Sequence, residues 1–293
     1  MRRIHRPVLL SAVPFTGLFD NWTANLFSAV SVAQLFTADP IYPIVAYDTV
    51  SLGTLTTQYT RKGLLDSTKL LSDSNGHDLT TSSLECHPSG GTRGFGMAAT
   101  SYRAALVTSG AYLGGPQFNG TSNGAGTSAT SGTPSGVTIY MRGKLRSTAG
   151  TQILLELSAN FNNNNAWVVY YDATTGLNLG AHRLSPTGYA VSQFSGAAPN
   201  DDVHCYRFDL TALTSAAMCT LAIDGVAQTR TADASSGTLP GGNFASNTYY
   251  LAARAQASLF ASLNLHTLFI FEALHTDAQV AAFSPLVKGL PSA

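Results

Sequence analysis

Short segments in which apolar and polar residues alternate follow one another along the second half of the chain. In Val203–Leu210, alternate positions from His204 onward are mostly aromatic or aliphatic, whereas Arg207 and Asp209 fall on the other face. This period of two is typical of a half-buried antiparallel strand. Turns rich in glycine and asparagine separate the segments, so the pattern predicts an all-β sandwich or barrel. The predicted strands are Val137–Leu145, Thr151–Ser158, Ala166–Asp172, Leu177–Leu184, Val203–Leu210, Cys219–Asp224, Thr248–Ala253 and Ser262–Leu274.

The last of these strands is followed directly by a helix signal. Ser262–Leu274 is long, β-branched and aromatic, as expected of a strand that is buried on both faces. Thr276 and Gln279 form a capping-box pattern, in which each side chain bonds the backbone N–H of the other residue. We therefore predict a helix from Thr276 to about Ser284, limited by Pro285 to about two turns. Its apolar positions, at helical spacing, are Val280, Phe283 and Leu286.

Two parts of the chain lack the pattern of a self-sufficient core. Asn119–Gly136 consists entirely of Gly, Ser, Thr, Asn, Ala and Pro, which predicts a long surface loop. Residues 1–105 contain one short helical pattern, Leu26–Phe36, and otherwise extended or polar stretches. We interpret residues 1–105 as a separate N-terminal arm that gains order from contacts with the main domain or with other chains, and residues 106–293 as the β-domain. The predicted assembly contacts of the arm are Leu26, Phe27, Val30 and Phe36.

The composition narrows the possible classes of function. Charged residues make up 11% of the chain, and 16 basic side chains balance 16 acidic ones. A neutral surface of this kind does not predict nucleic-acid binding. No segment reaches the ~18 apolar residues needed to span a bilayer, so we expect no membrane span. Two prolines interrupt the apolar run after the N-terminal arginines, and we expect no cleaved signal peptide. The three cysteines, Cys86, Cys205 and Cys219, do not suggest a disulfide framework.

Four weak motifs occur in a recognisable order. They are Gln117–Asn123, Val137–Arg142, Val203–Leu210 followed by Leu221–Gly225, and Leu268–Leu274 followed by Thr276–Val280. With this order and spacing, the region from about Ala111 to Lys288 resembles the laminin-G-like or concanavalin A-like jelly rolls of many secreted and viral proteins. The resemblance implies an antiparallel jelly-roll sandwich with a short C-terminal helix. Domains of this fold include binding modules, enzymes and structural proteins, so the fold does not decide the function.

Groups that could catalyse hydrolysis are sparse. Glycoside hydrolases of this fold commonly carry their carboxylates on one strand, as E-x-D-x-x-E. The glutamates of this chain are Glu85, Glu156 and Glu272, and they do not form that pattern. A carboxylate pair assembled from distant strands stays open as an alternative. We predict no catalytic residue and no enzyme activity.

The sequence also predicts no metal and no cofactor. His77 with Cys86 and His87 is the only cluster of soft metal ligands, and it lacks a second closely spaced pair. Related domains often bind Ca²⁺ through Asp side chains at strand ends. The residues that could form such a site here are Asp172, Asp201 and Asp202, although exposed Asp residues are also ordinary turn formers.

Aromatic residues beside amides are the candidates for sugar binding. Sugars stack on exposed aromatic faces while amides address the hydroxyls, so Trp167 with Asn164 or Asn165 is the predicted glycan contact. Two tyrosine pairs, Tyr170-Tyr171 and Tyr249-Tyr250, are also available. Because strand neighbours point to opposite faces, one ring of each pair must face inward.

These observations together favour a non-enzymatic structural or adhesion protein. The low charge, the hydroxyl-rich composition and the arm without a core resemble tail-associated and capsid-decorating proteins of bacteriophages. The resemblance implies a location on the virion surface, with other virion proteins and further copies of this chain as partners, and possibly a host-surface glycan. The alternatives are a lectin-like glycan-binding module and a polysaccharide-degrading glycoside hydrolase.

Overall fold

The structure is a computed structural model that describes most of the chain from residue 116 onward. The described ranges are 116–127, 132–160, 163, 165–183, 188–236 and 242–288, together with four dipeptides at 44–45, 83–84, 95–96 and 105–106. The predicted assembly contacts Leu26, Phe27, Val30 and Phe36 lie outside the described residues, as does Asn164.

The described residues form strands, with two helices. The strands are β1 (Ile44–Val45), β2 (Ser83–Leu84), β3 (Phe95–Gly96), β4 (Ala105–Leu106), β5 (Pro116–Asn119), β6 (Ala125–Thr127), β7 (Gly136–Leu145), β8 (Thr151–Leu157), β9 (Ala166–Asp172), β10 (Gly176–Arg183), β11 (Gly188–Phe194), β12 (Asn200–Asp209), β13 (Cys219–Ile223), β14 (Val226–Ala227), β15 (Ala232–Ser236), β16 (Tyr249–Leu251) and β17 (Ser262–Phe271). The helices are α1 (Ser215–Met218) and α2 (Asp277–Lys288).

The strands form two antiparallel sheets. The eight-stranded sheet has the order β14-β13-β12-β7-β17-β5-β4, and β1 also pairs with β17. The nine-stranded sheet has the order β15-β11-β10-β9-β8-β16-β6-β3-β2. Strands that follow one another in the chain repeatedly change sheet, as in a jelly roll. The predicted antiparallel jelly-roll sandwich with a short C-terminal helix is confirmed.

The main core lies between the sheets. On β12, Tyr206 and Phe208 face this core, as their alternation predicts. The opposite face of β12 was expected to be polar, but Val203 and Cys205 on that face are fully buried beneath α2. Arg207 on that face is partly exposed and forms an ion pair with Asp277 at the start of the helix. A helix laid on this sheet therefore converts a half-buried strand into a largely buried one.

The last strand and its helix agree with the sequence pattern, apart from their ends. Leu268 and Ile270 of β17 face the main core, whereas Phe269 and Phe271 pack under α2, so the strand is buried on both faces. The capping box is present. The Gln279 N–H donates to Thr276 Oγ1 at 3.3 Å, and the Thr276 N–H donates to Gln279 Oε1 at 2.8 Å.

The expected end of α2 at about Ser284 is wrong, because the helix continues through Pro285 to Lys288. A proline inside a helix removes one backbone hydrogen bond and crowds the preceding turn. Tertiary contacts offset that cost here. Val287 is buried against the sheet, the Lys288 carbonyl accepts from Arg142 Nη1 at 3.1 Å, and Lys288 Nζ lies 3.0 Å from Asp224 Oδ2.

The expected surface loop at Asn119–Gly136 is also corrected in part. Its residues Ala125–Thr127 form β6, which pairs with β16 and β3 inside the nine-stranded sheet. The small residues permit this close approach. A β-carbon at Gly124 would lie 2.5 Å from the Cβ of Ala253, and one at Gly126 would lie 3.0 Å from the ring of Tyr250. At this place, a segment of small residues with low hydrophobicity therefore forms a tightly packed strand.

Segments that precede residue 106 contribute short strands to both sheets. Strand β1 pairs with β17, β4 pairs with β5, and β3 pairs with β6. The boundary between residues 1–105 and 106–293, and the role of the first region in assembly, stay predictions. Among the described residues, no helix is long and apolar enough to cross a membrane.

Candidate functional site

A buried ion pair lies on the outward face of the nine-stranded sheet. On β8, Leu155 and Leu157 face the main core, so Glu156 between them points to the opposite face. Glu156 is fully buried. Its carboxylate accepts two hydrogen bonds from the guanidinium of Arg254, from Nε at 3.2 Å and from Nη2 at 3.0 Å. Such two-point pairing is strong and fixes the orientation of both side chains.

The backbone that carries Arg254 is strained. Ala255 and Gln256 both have left-handed backbone angles, with φ of 52° and 56°, and the flanking Ala252 and Leu259 do as well. Left-handed conformations are unfavourable for residues other than glycine. An isolated bridge between Arg254 and Ser258 closes the tight turn. The surrounding contacts therefore hold this loop in place and direct Arg254 back onto the sheet.

Two half-buried tyrosines share this face with the ion pair. Tyr250 of β16 lies directly opposite Glu156 in the sheet, and Tyr170 of β9 lies two residues beyond Val168, the other neighbour of Glu156. Burial raises the pKa of Tyr170, the charge of Asp172 raises it further, and the charge of Arg254 partly opposes this. Arg254 therefore lies within electrostatic range of the Tyr170 hydroxyl.

The inward-facing partners of these tyrosines behave as predicted. Tyr249 is fully buried in the main core, and Tyr171 packs against that core. The candidate site is therefore the cluster on the outward face, which we call the Arg254 cluster. It consists of Glu156, Tyr170, Tyr250 and Arg254, together with Gln256, whose side chain lies beside Gly126 as the Tyr250 ring does. Glu156 and Arg254 had no local sequence signature as a pair, because 98 residues separate them.

The prediction that Trp167 offers an exposed ring to a sugar is wrong. Trp167 is fully buried and stacks on Phe208 of the other sheet, with ring centroids 5.0 Å apart. Its position between two sheets follows from the inward register of β9. Asn165 has a left-handed backbone, and its carbonyl accepts from the Ala245 N–H at 2.9 Å, so it shapes the turn before β9.

The second described glutamate also has structural partners. Glu272 follows β17, and its Oε1 accepts from the Gly132 N–H at 2.7 Å and from the Tyr249 hydroxyl at 3.1 Å. These bonds link the end of the eight-stranded sheet to β16 of the other sheet. Glu85 lies outside the described residues.

The three aspartates that could form a Ca²⁺ site are each engaged in local contacts. Asp172 accepts from the Thr151 hydroxyl at 2.6 Å, and this bond lowers the pKa of Asp172. Asp201 pairs with Arg142 at 3.0 Å. Burial alone would raise the pKa of Asp202, but the hydrogen bond and charge of His204 outweigh it and lower that pKa to about 2.

No cluster of three or more potential ligands suits a metal ion in the part of the chain that the structure describes. His77, Cys86 and His87 lie outside that part. The described residues therefore supply no positive case for a metal.

Comparisons with known proteins give similarity of fold only. No protein-family model matches the chain, and no curated protein is significantly similar to it. Among solved structures, a heptameric SAP-like pentraxin from Limulus polyphemus is 16% identical, with 57% of this chain and 80% of that chain covered and a TM-score of 0.42. A sialidase CBM40 domain from Ruminococcus gnavus, bound to α2,3-sialyllactose, is 12% identical, with coverages of 52% and 83% and a TM-score of 0.37.

A sialidase from Trypanosoma rangeli, in complex with the inhibitor DANA, is 12% identical, with 69% of this chain and 32% of that chain covered and a TM-score of 0.44. Similarities at this level do not establish a function. The chain is an antiparallel jelly-roll sandwich protein, and arguments about its function depend on its own side chains.

Proposed function

We propose that this chain is a non-enzymatic sandwich protein with a structural or adhesive role in a larger assembly. The observation that supports this proposal is that both described glutamates are committed to contacts that hold the fold together. Glu156 is bound by Arg254, and Glu272 joins the two sheets. The proposal that the assembly is a bacteriophage virion, with other virion proteins and copies of this chain as partners, rests on the composition and the N-terminal region.

The chemistry of glycoside hydrolysis explains why these contacts matter. One carboxyl group must carry a proton to the leaving oxygen, and a second must act as nucleophile or base across the scissile bond. Both oxygens of the buried Glu156 carboxylate are occupied by the Arg254 guanidinium, so Glu156 is already committed to a structural contact. Glu272 Oε1 is occupied by hydrogen bonds from the Gly132 N–H and the Tyr249 hydroxyl.

Glycan recognition is the second candidate, and the Arg254 cluster favours it. Tyr170 and Tyr250 offer half-buried rings beside a guanidinium that keeps some exposure. Arginine has five N–H donors, and Glu156 takes two of them, so three remain for hydroxyl oxygens of a ligand. Aromatic faces next to fixed polar donors are the usual elements of a sugar site.

Two assays on the full chain separate these functions. The first measures the release of reducing ends from a panel of neutral and acidic polysaccharides, and we expect none. Release that Glu156→Gln or Glu272→Gln abolishes in a folded protein would overturn the non-enzymatic proposal.

The second assay measures binding to a glycan array. Binding that Tyr250→Ala abolishes, but that the control Tyr189→Ala retains, would support recognition at the Arg254 cluster. Tyr189 is a suitable control because it is also half-buried and lies on the nine-stranded sheet, on β11, where it stacks on His182. If neither hydrolysis nor glycan binding is found, the structural role is favoured over glycan recognition.

A further inference from the structure

The C-terminal helix α2 covers a separate apolar patch on the outer face of the eight-stranded sheet. The sheet contributes Tyr140, Val203, Cys205, Ala222, Phe269 and Phe271, and the helix contributes Val280, Phe283 and Val287. These residues form a cluster apart from the main core. We call it the helix-side cluster. Loss of α2 would expose this cluster and leave the packing between the two sheets in place.

An arginine holds each end of α2. At the start, Arg207 Nη2 lies 2.6 Å from Asp277 Oδ1, and Arg207 Nη1 donates to the His275 carbonyl at 3.0 Å. At the end, Arg142 Nη1 donates to the Lys288 carbonyl. Cations near the last carbonyls and anions in the first turn also interact favourably with the helix dipole.

His275 occupies the position immediately before the capping residue of α2 and is buried. Its backbone is fixed on both sides, because its N–H donates to Thr138 Oγ1 at 2.9 Å and its carbonyl accepts from Arg207. Its ring lies 4.5 Å from that of Phe271, and its Nδ1 lies 3.0 Å from the Tyr140 hydroxyl. The backbone and the ring of His275 therefore join the start of the helix to β7 and β12.

Protonation of His275 is opposed by its burial and by the nearby guanidinium of Arg207. The groups that act on it directly are Tyr140 on β7 and Arg207 on β12, and the titratable groups next to these two are Cys205 on β12 and Asp277 on α2. Burial raises the pKa of Cys205 to about 12 and moves that of Tyr140 further above its usual value, so both stay neutral. The Asp277 carboxylate is bound to Arg207. A protonated Nδ1 can only donate, so the Tyr140 hydroxyl could then act only as an acceptor at this contact.

We propose that His275 is an acid-sensitive switch. Protonation of its ring releases α2 from the eight-stranded sheet, while the sandwich stays folded. The inference goes beyond the proposed function, since it concerns a conformational switch at a different place. Burial and the charge of Arg207 lower the pKa of His275 to about 4, whereas a released histidine titrates at about 6.5. The released population should therefore rise by about tenfold for each pH unit between these two values.

The two described cysteines provide an internal readout. Cys205 is buried under α2, whereas Cys219 is buried in the main core. The full chain is labelled between pH 7 and pH 3.5 with dithiodipyridine, which reacts with thiols in acid, and peptide mapping assigns each labelled cysteine. Rates are divided by those of the denatured chain at the same pH. We expect labelling of Cys205 to accelerate by about tenfold per pH unit below about pH 6.5, ahead of Cys219.

Variants identify the sensor. His275→Gln should flatten the pH dependence of Cys205 labelling, and the control His182→Gln should not. His182 is a matched control because it is buried, its pKa is also lowered by burial, and it lies on β10 of the other sheet. Asp277→Asn should retain the pH dependence, which separates titration of Asp277 from that of His275.

Several results would overturn the proposal. They are parallel acceleration at Cys205 and Cys219, no acceleration above pH 3.5, or a pH dependence that His275→Gln retains or Asp277→Asn removes. If His275→Gln does not fold at pH 7, Tyr140→Phe replaces it. Loss of the hydroxyl should shift the midpoint of Cys205 labelling to higher pH. An unchanged or lower midpoint would equally overturn the proposal.

Discussion

The two apolar clusters of this protein are built on opposite faces of the same sheet, and they differ in what surrounds their hydrophobic residues. The main core holds stacked aromatic rings such as Trp167 and Phe208 between two sheets. The helix-side cluster is smaller, is covered by one helix, and has beside its packing contacts the buried His275, whose pKa is lowered to about 4. We therefore expect the main core to set the global stability and the helix-side cluster to respond to charge and pH.

The largest expected effect is in the main core. Trp167→Ala should lower the free energy of unfolding by about 3–5 kcal/mol, because it removes a fully buried ring and leaves a cavity between the sheets. Urea unfolding followed by circular dichroism measures the change. Trp167→Phe, which retains an aromatic ring, should cost distinctly less. An equal and small loss in both variants would show that the ring contributes little to the core.

A matching truncation under the helix should have a local effect. Phe283→Ala should weaken docking of α2 by about 3 kcal/mol, since Phe283 packs on Tyr140, Phe269 and Phe271. Hydrogen exchange should then accelerate in residues 277–288 and stay nearly unchanged in β8 and β9. Exchange that accelerates equally in both regions would show that the two clusters unfold as one unit.

The third prediction concerns the pH dependence of global stability. The pKa of His275 is lower in the folded protein than in the unfolded chain, so the unfolded chain binds more protons between about pH 6.5 and pH 4. Stability is therefore fully present above pH 6.5 and falls as the pH drops through this window, by about 3 kcal/mol from this residue. Urea unfolding of the wild type and of His275→Gln at pH 7, 5.5 and 4 measures the difference. Equal slopes in both proteins would contradict the assignment.

The smallest effect is expected at the helix cap. Thr276→Ala should cost about 1 kcal/mol, because it removes the oxygen that accepts from the Gln279 N–H. Thermal unfolding of the wild type, Thr276→Ala and Thr276→Ser gives the comparison, and the serine variant should retain most of the stability. A serine variant as unstable as the alanine variant would point to the methyl group of Thr276, and away from its hydroxyl.

Local patterns predicted the elements that carry their own signal. The alternation in Val203–Leu210 placed Tyr206 and Phe208 in the core, and the Thr276–Gln279 capping box placed the start of α2. Strands β11 and β15 were not predicted. The segment Ala232–Ser236 is small and polar, and its described strand contact is its pairing with β11. A strand of this kind is stabilised by its neighbour, so a window of its own sequence contains no sign of it.

The candidate site was largely beyond sequence reasoning. Tryptophan beside asparagine is typical of sugar sites, but the register of β9 turns Trp167 into the core. Tyr170 and Tyr250 each belong to a pair of neighbouring tyrosines, and the sequence does not show which ring of each pair faces outward. Arg254 could not be connected with Glu156, because their contact depends on the pairing of β8 with β16 and on the strained turn after it.

The periodicity, the caps and the scarcity of charge are properties of the sequence alone, and they predict an antiparallel sandwich followed by a helix. These properties depend on neighbours within a few residues, whose geometry is the same in any protein. Tertiary structure decided the continuation of α2 through Pro285, the burial of the glycine-rich strand β6 and the pairing of Glu156 with Arg254. Each of these depends on groups far apart in the chain, whose contacts offset a local penalty that no short segment could overcome alone.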